Sequence, residues 1–317
     1  MHSDCAFERQ WRVESAEVGA LDFGLGELPW ADFALNPRRL RGSDFLMRWA
    51  QGEWSELRIE EAINQSGRFL AIPYGPSGVA PEGDPRAYEL YFERLEAAGL
   101  GRVKRPDLLL FREESRATIE RCIDESGGLA ALPFVPEEKL GGLLGLALGA
   151  VECENSLWKA ERMPGFGQAL RLDKKSGMQR VPKTSAQPSI FLKEEDRAPL
   201  RTWQEAHGIP IHIWQVFYDR AYGIALTGAE SAIVTGQVPP TKQVFQAPGG
   251  ATTTKVIYKI FYQLAYEVGR ARSEPQLRAA YIEDKNGHIL PYVRFEGGML
   301  ELSSEAVATL AGLAEGR

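Results

Sequence analysis

The segment 150-AVECE-154 places two carboxylates two positions apart in a short apolar stretch that predicts a β-strand. Successive side chains of a strand point to opposite faces, so we expect Glu152 and Glu154 on one face and Cys153 on the other. Two carboxylates on one face of an otherwise buried strand are costly unless a positive charge compensates them. An edge strand with solvated glutamates would carry the same pattern, and this alternative stays open for the segment alone.

A third carboxylate stands at the start of another predicted strand, in 104-KRPDLLLF-111. Asp107 follows Pro106 and precedes the apolar residues 108–111. If the two strands are neighbours, Asp107, Glu152 and Glu154 converge on one point. Mg²⁺ binds oxygen ligands and needs only one or two protein carboxylates besides water and phosphate. The three residues are therefore the candidate metal ligands.

Helical and strand segments alternate irregularly along the chain, which predicts an α+β fold with a mixed sheet. Helices are expected over 44–50, 56–65, 115–123, 199–206 and 255–270, and strands over 68–74, 190–192 and 209–217. The turn 284-DKNG-287 predicts a hairpin of 278–283 with 288–295. Because no stretch has linker composition, we expect one domain over 1–317. Its core would cover about 55–225, with additions at 1–54 and 226–317.

Composition excludes several classes of protein. The net charge of −6 argues against a general nucleic-acid coat protein, although a local basic surface can still bind DNA. No apolar run approaches the ~18 residues that span a bilayer, and charges interrupt the N-terminus where a signal peptide is apolar. The three cysteines and four histidines show no zinc-ligand spacing. We expect a cytoplasmic protein without a membrane partner.

The order Pro106-Asp107, a spacer, then Glu152-Cys153-Glu154 resembles the metal-site signature of the PD-(D/E)XK nucleases. The sequence departs from that signature in two ways, since Glu154 replaces the usual lysine and the spacer is longer. Further segments are similar to the AccI-type restriction endonucleases, namely 38-RRLRGSDFLMRWAQGEW-54, 151-VECENSLWKA-160, 190-IFLKEED-196, 203-WQEAHGIPIHIWQVFYDRAYG-223 and 284-DKNGHILPYVRFEGG-298.

This resemblance implies a restriction-endonuclease-like mixed β-sheet core flanked by helices. It also implies a type II restriction endonuclease, a homodimer that cuts both strands of a short palindromic site in double-stranded DNA with Mg²⁺. A DNA-repair or mobile-element nuclease of the same fold is one alternative, and a non-catalytic DNA-binding module is another. Intact carboxylates at all three positions disfavour the module, because burying them without a metal brings no gain.

The resemblance also suggests roles for single residues. Asp107 and Glu152 would hold the metal at the scissile phosphate, and Glu154 would ligate metal or orient the attacking water. Lys159, just after the strand, is a candidate to replace the missing lysine, and a plain surface lysine is the alternative. Glu60 or Glu61 on the early helix are candidates for an outer metal contact.

Two segments have the charge expected of a DNA contact. Residues 159–183 hold seven basic and two acidic residues, and their candidate phosphate contacts are Arg171, Lys174, Lys175, Arg180 and Lys183. No carboxylate occurs between Glu230 and Glu267, and the candidates there are Lys242, Gln243, Gln246 and Lys255. We expect the C-terminal region to contribute to DNA recognition and dimerisation. Two solvated loops would have a similar composition.

Overall fold

A computed structural model gives the fold of the chain. It describes residues 43–76, 94–95, 97–100, 103–172, 179–180, 186–246, 252–283, 287 and 289–316. Of the predicted DNA contacts, Lys174, Lys175 and Lys183 lie outside these residues, as does the N-terminal addition up to residue 42. Within the described part, no helix has the length and apolar character that crossing a bilayer requires.

The described helices are α1 (Ser43–Gln65), α2 (Arg116–Glu125), α3 (Gly141–Leu144), α4 (Glu194–His207), α5 (Leu226–Val234) and α6 (Ser304–Glu315). The strands of the main sheet are β1 (Phe69–Pro73), β2 (Leu108–Arg112), β3 (Gly149–Asn155), β7 (Ile211–Val216), β8 (Arg220–Ala225), β11 (Tyr266–Ala271) and β14 (Leu300–Leu302). The remaining strands are β4 (Arg171–Leu172), β5 (Gln179–Arg180), β6 (Ser189–Lys193), β9 (Pro240–Gln246), β10 (Thr252–Phe261), β12 (Gln276–Glu283) and β13 (Ile289–Glu296).

The main sheet has seven strands in the order β1-β2-β3-β7-β8-β11-β14. Neighbouring strands are antiparallel except for β3 and β7, which run parallel and pair over Ala150–Asn155 and Ile211–Val216. A parallel pair needs a crossover connection, and here the chain from β3 to β7 includes β6 and α4. The start of α4 is thereby brought near the end of β3.

Hydrophobic cores cover both faces of this sheet. Leu109, Ala150 and Ile213 face a cluster that includes Leu200 and Trp203 of α4. Leu108, Val151 and Trp214 face a second cluster that includes residues of α1 and α6. Side chains thus alternate between the two clusters along β2, β3 and β7, as the period of a strand requires. The fold is α+β, a mixed sheet with helices on both faces, and this part of the prediction is confirmed.

A second sheet, β6-β10-β9, is antiparallel throughout, and β12 pairs with β13 in a separate hairpin. The hairpin prediction for 278–283 and 288–295 is therefore confirmed within one or two residues. The predicted helix over 255–270 is wrong, because these residues form the end of β10, a short 3₁₀ turn and most of β11. Since β11 and β14 belong to the main sheet, the predicted core boundary at residue 225 divides that sheet.

The two predicted N-terminal helices are one helix. Ser55, at the predicted break, lies inside this helix, and its hydroxyl donates to the carbonyl of Gln51 one turn earlier, at 2.8 Å. A serine inside a helix commonly bonds this carbonyl instead of acting as an N-cap. Continuous helical backbone from Ser43 to Gln65 follows.

Candidate metal centre

Asp107 is held at the entrance to β2 by its backbone. Its carbonyl accepts hydrogen bonds from the amides of Tyr74 and Gly75, at 2.8 and 3.2 Å. The preceding Arg105 is buried, and its guanidinium donates to the carbonyls of Leu132 and Val135. Hydrogen bonds therefore hold the backbone at the entrance to β2, and this fixes the point from which the Asp107 side chain extends.

The Asp107 side chain reaches across to β3. Leu108 pairs with Val151, so Asp107 lies level with the next residues of β3. Its Oδ2 accepts a hydrogen bond from the Cys153 amide at 2.7 Å. The carboxylate is 9 % exposed, and burial, the largest influence, raises its pKa although the charge of Lys104 acts to lower it.

Glu152 and Glu154 occupy alternate positions of β3. They share the strand face of Ala150, which lies in the cluster with α4, whereas Cys153 packs with the opposite cluster. The predicted placement of the two carboxylates on one face is thus correct. Glu152 is 3 % exposed, and burial followed by the charge of Asp107 raises its pKa well above the ordinary value. Burial also raises the pKa of Glu154.

Two lysines that the sequence analysis did not select compensate these carboxylates. Lys104 Nζ lies 2.5 Å from Glu152 Oε1, and Lys193 Nζ lies 2.6 Å from Glu154 Oε1. Burial acts to lower the pKa of both lysines, but the neighbouring carboxylates raise it on balance. Each ammonium therefore stays charged. Lys104 precedes Asp107 by three residues, and Lys193 is the last residue of β6.

Asp196, in the first turn of α4, joins the cluster. One oxygen each of Glu152, Glu154 and Asp196 lie within 4.8 Å of one another, close enough for a single ion to contact all three. The charged run 193–196 leads into the first turn of α4, and Asp196 also belongs to the acidic cluster, a position that the sequence does not indicate. Lys193 Nζ lies 3.7 Å from Asp196 Oδ2, so the same lysine contacts two carboxylates of the cluster.

The cluster has the properties that a metal ion requires. Glu152 Oε2 is buried without a hydrogen-bond partner within the described structure, so one oxygen of a buried carboxylate is uncompensated. When Glu152, Glu154, Asp196 and Asp107 are all ionised, their carboxylates exceed the two ammonium groups by two negative charges. Glu152, Glu154 and Asp196 could therefore hold a metal ion, and the all-oxygen donor set fits a hard divalent cation.

Lys159, the predicted substitute for the missing lysine, has other contacts. Its ammonium pairs with Glu274 and lies 5.4 Å from the centre of the Tyr218 ring. The chain turns away from β3 at this point, because Asp219 accepts hydrogen bonds from the amides of Ala160 and Glu161. The lysines in contact with the carboxylates are Lys104 and Lys193.

The predicted helix glutamates lie on α1, which covers the sheet face of Cys153. Burial, followed by the charge of Glu61, raises the pKa of Glu60 to about 7. The α1 carboxylate whose charge acts on β3 is Glu56, which contributes to the raised pKa of the Cys153 thiol after burial and Asp107. Glu60 and Glu61 thus lie about one turn further along α1 than Glu56, the carboxylate whose charge helps to raise the pKa of Cys153.

The predicted DNA contacts that lie within the described residues fall on two pairs of antiparallel strands. Arg171 pairs with Arg180 in the backbone of the β4–β5 ribbon. Gln243 pairs with Lys255 in the second sheet, where Lys242 is opposite Val256 and Gln246 is opposite Thr252. The side chains of Arg171, Arg180 and Gln246 lie outside the described ones. Lys255 Nζ lies 2.5 Å from Glu195 Oε1, which places this hairpin beside the start of α4.

Comparison of the chain with protein-family models, with curated proteins and with solved structures gives no significant match. The residues of the cluster and the sequence motif are therefore the basis for assigning a function.

Proposed function

We propose that the protein is a Mg²⁺-dependent endonuclease that hydrolyses phosphodiester bonds in double-stranded DNA, of the type II restriction kind. The observation that carries the proposal is the buried carboxylate cluster on β3 and α4, in which Glu152 Oε2 has no partner among the described residues. In sequence, two of these residues, Glu152 and Glu154, form the second half of a motif that resembles the PD-(D/E)XK signature. The first half, Asp107, contacts β3 through the Cys153 amide.

The residues of the cluster would have separate roles. Glu152, Glu154 and Asp196 would hold the metal, and Asp107 would complete the set beside them. When bound, Mg²⁺ supplies Lewis-acid chemistry, lowering the pKa of a water molecule and stabilising the departing oxygen. Lys193 and Lys104 offset part of the negative charge of the cluster, and either ammonium would contact a phosphate oxygen that enters it.

The restriction-endonuclease-like fold and the homodimer belong to the same proposal. A mixed sheet flanked by helices is the architecture that the resemblance implies. Cutting both strands of a palindromic site requires two copies of the cluster related by two-fold symmetry, which a homodimer provides.

The test is cleavage of a supercoiled plasmid by the full chain with Mg²⁺ and with EDTA. We expect linear product with Mg²⁺ and none with EDTA. Glu152→Gln and Asp196→Asn should abolish cutting, whereas Glu205→Gln, an exposed carboxylate on the same α4 helix, should cut like wild type. Nicked circles without linear DNA would favour a repair-type nuclease. No cleavage, together with normal duplex binding, would favour a non-catalytic module and overturn the proposal.

A further inference from the structure

The second sheet has one face that carries a row of lysines. The register pairs Lys193 of β6 with Ile257 of β10, so alternate positions on either side of Ile257 share a face with Lys193. Lys255 and Lys259 occupy those positions, and Lys259 Nζ indeed lies 5.6 Å from the ring centre of Phe191, its cross-strand partner on β6.

On β6 and β10, the opposite face of this sheet packs against the protein core. Ile190, Leu192, Tyr258 and Ile260 lie at the intervening positions, and all belong to the core that covers the main sheet. On these two strands the lysine side chains therefore lie on the face that is turned away from this core.

The lysine face leads to the carboxylate cluster. Lys193 contacts Glu154 at 2.6 Å, and Lys255 contacts Glu195, the residue before Asp196. β9 and β10 contribute no carboxylate of their own, because none occurs between Glu230 and Glu267. A polyanion bound along this face would contact the ammonium groups of Lys259, Lys255 and Lys193 beside the cluster. It would meet no carboxylate on β9 or β10.

We infer, on the basis of the proposed function, that this face binds the phosphate backbone of the duplex as it approaches the metal centre. The predicted DNA contacts on β9 lie on different faces of the sheet. Gln243, opposite Lys255, is on the lysine face, whereas Lys242 is opposite Val256 on the other face. Lysine contacts to phosphate position a duplex without selecting its sequence.

The pair of Lys255 with Glu195 is compatible with this role. Glu195 is 55 % exposed, and exposed ion pairs are weak and screened by salt. A phosphate oxygen can therefore replace Glu195 as the partner of Lys255. Removing the charge of Glu195 should then help the duplex to bind.

The experiment measures binding of a fluorescently labelled random duplex to the full chain in Ca²⁺, by anisotropy over a range of salt concentrations. Lys255→Gln and Lys259→Gln, which keep most of the side-chain length, should each weaken binding several-fold and reduce the slope of log K against log salt by about one. Lys242→Gln, on the same hairpin but the other face, is the matched control and should bind like wild type. Glu195→Gln should tighten binding.

The outcomes separate this inference from the proposed function. If wild type binds duplex and Lys242→Gln loses as much affinity as the other two variants, the face assignment is overturned while the function stands. If Lys255→Gln and Lys259→Gln keep the wild-type affinity and salt dependence, the lysine face does not bind the duplex, and the proposed function still stands. A wild-type chain that binds no duplex would overturn both.

Discussion

Lys104, whose side chain is 29 % exposed, pairs with only one oxygen of the buried Glu152 carboxylate. Lys104 Nζ is 2.5 Å from Oε1, while Oε2 is buried without a partner among the described residues. An uncompensated charged oxygen in the interior is costly, because water no longer solvates it. A divalent cation between Glu152, Glu154 and Asp196 would satisfy that oxygen, and this requirement gives rise to the first prediction.

Metal binding should stabilise the fold. Because a ligand that binds only the folded state adds free energy by mass action, Mg²⁺ or Mn²⁺ at 100 times its dissociation constant should add about 2.7 kcal/mol. Thermal unfolding with the metal and with EDTA measures this difference. Glu152→Gln should lose most of the metal-dependent rise in Tm, and Glu205→Gln should retain it. An undiminished rise in the Glu152→Gln variant would remove Glu152 from the ligand set.

The affinity for metal should increase with pH. Burial and the neighbouring Asp107 raise the pKa of Glu152, so at pH values below that raised pKa the metal-free cluster holds a proton that an ion must displace. For each proton released, the association constant should rise by about tenfold per pH unit until the pKa is passed. Calorimetric titration with Mn²⁺ at several pH values measures the slope. A flat profile would mean that no proton is displaced.

The metal-free protein should show the opposite trend in stability. A carboxylate whose pKa is raised in the folded state stabilises the fold fully below its unfolded pKa, near 4.5, and this contribution is lost as pH rises through the folded value. Urea unfolding in EDTA should therefore show a free energy of unfolding that falls from about pH 4.5 upward. Glu152→Gln should flatten this part of the profile. A steeper decline in the variant would contradict the assignment.

Glu137 should be a structural carboxylate rather than a metal ligand. Its oxygens accept hydrogen bonds from Tyr74 and Trp203 and pair with the buried Arg105. Leaving these donors without an acceptor should lower the free energy of unfolding by about 1–3 kcal/mol in Glu137→Ala. Urea unfolding measures this loss, and the metal-dependent rise in Tm should be unchanged. Loss of that rise would place Glu137 in the metal centre.

The alternation of side chains along a single strand made part of the site predictable from sequence. The placement of Glu152 and Glu154 on one face and of Cys153 on the other follows from the period of a strand, which depends only on neighbouring residues. Asp196 and Lys193 were missed because their approach depends on the crossover that brings the end of β6 and the start of α4 to β3. Nothing near these two residues in sequence specifies that approach.

The error over 255–270 has a different origin. Val256, Tyr258 and Ile260 alternate as in a strand, but Ile257 between them is buried too. A nearly continuous apolar run has neither the period of a strand nor that of a one-sided helix, so periodicity does not decide between them. Pairing of β10 with both β6 and β9 decides it in the folded chain.

The last prediction concerns the backbone that positions Asp107. A Cβ atom on Gly75 would lie 2.8 Å from the carbonyl oxygen of Pro106 and 3.2 Å from the Asp107 Cα, both closer than ordinary contacts. Gly75→Ala should therefore shift Asp107 away from the Cys153 amide while leaving every carboxylate in the sequence. Because a displaced supporting group typically costs 10–100-fold in metal affinity or activity, we expect a loss of that size in plasmid cleavage.

Gly141→Ala is the matched control, since a Cβ at Gly141 meets no atom within 4 Å and the residue has no left-handed backbone. This variant should cut at the wild-type rate. Circular dichroism and Tm of both variants separate a local shift from general unfolding. If Gly75→Ala folds normally and cuts as fast as wild type, the position of Asp107 does not limit the reaction. Asp107 would then act by its charge on Glu152 rather than by contact with the metal, and Asp107→Asn should reduce cutting whereas Asp107→Glu should restore part of it.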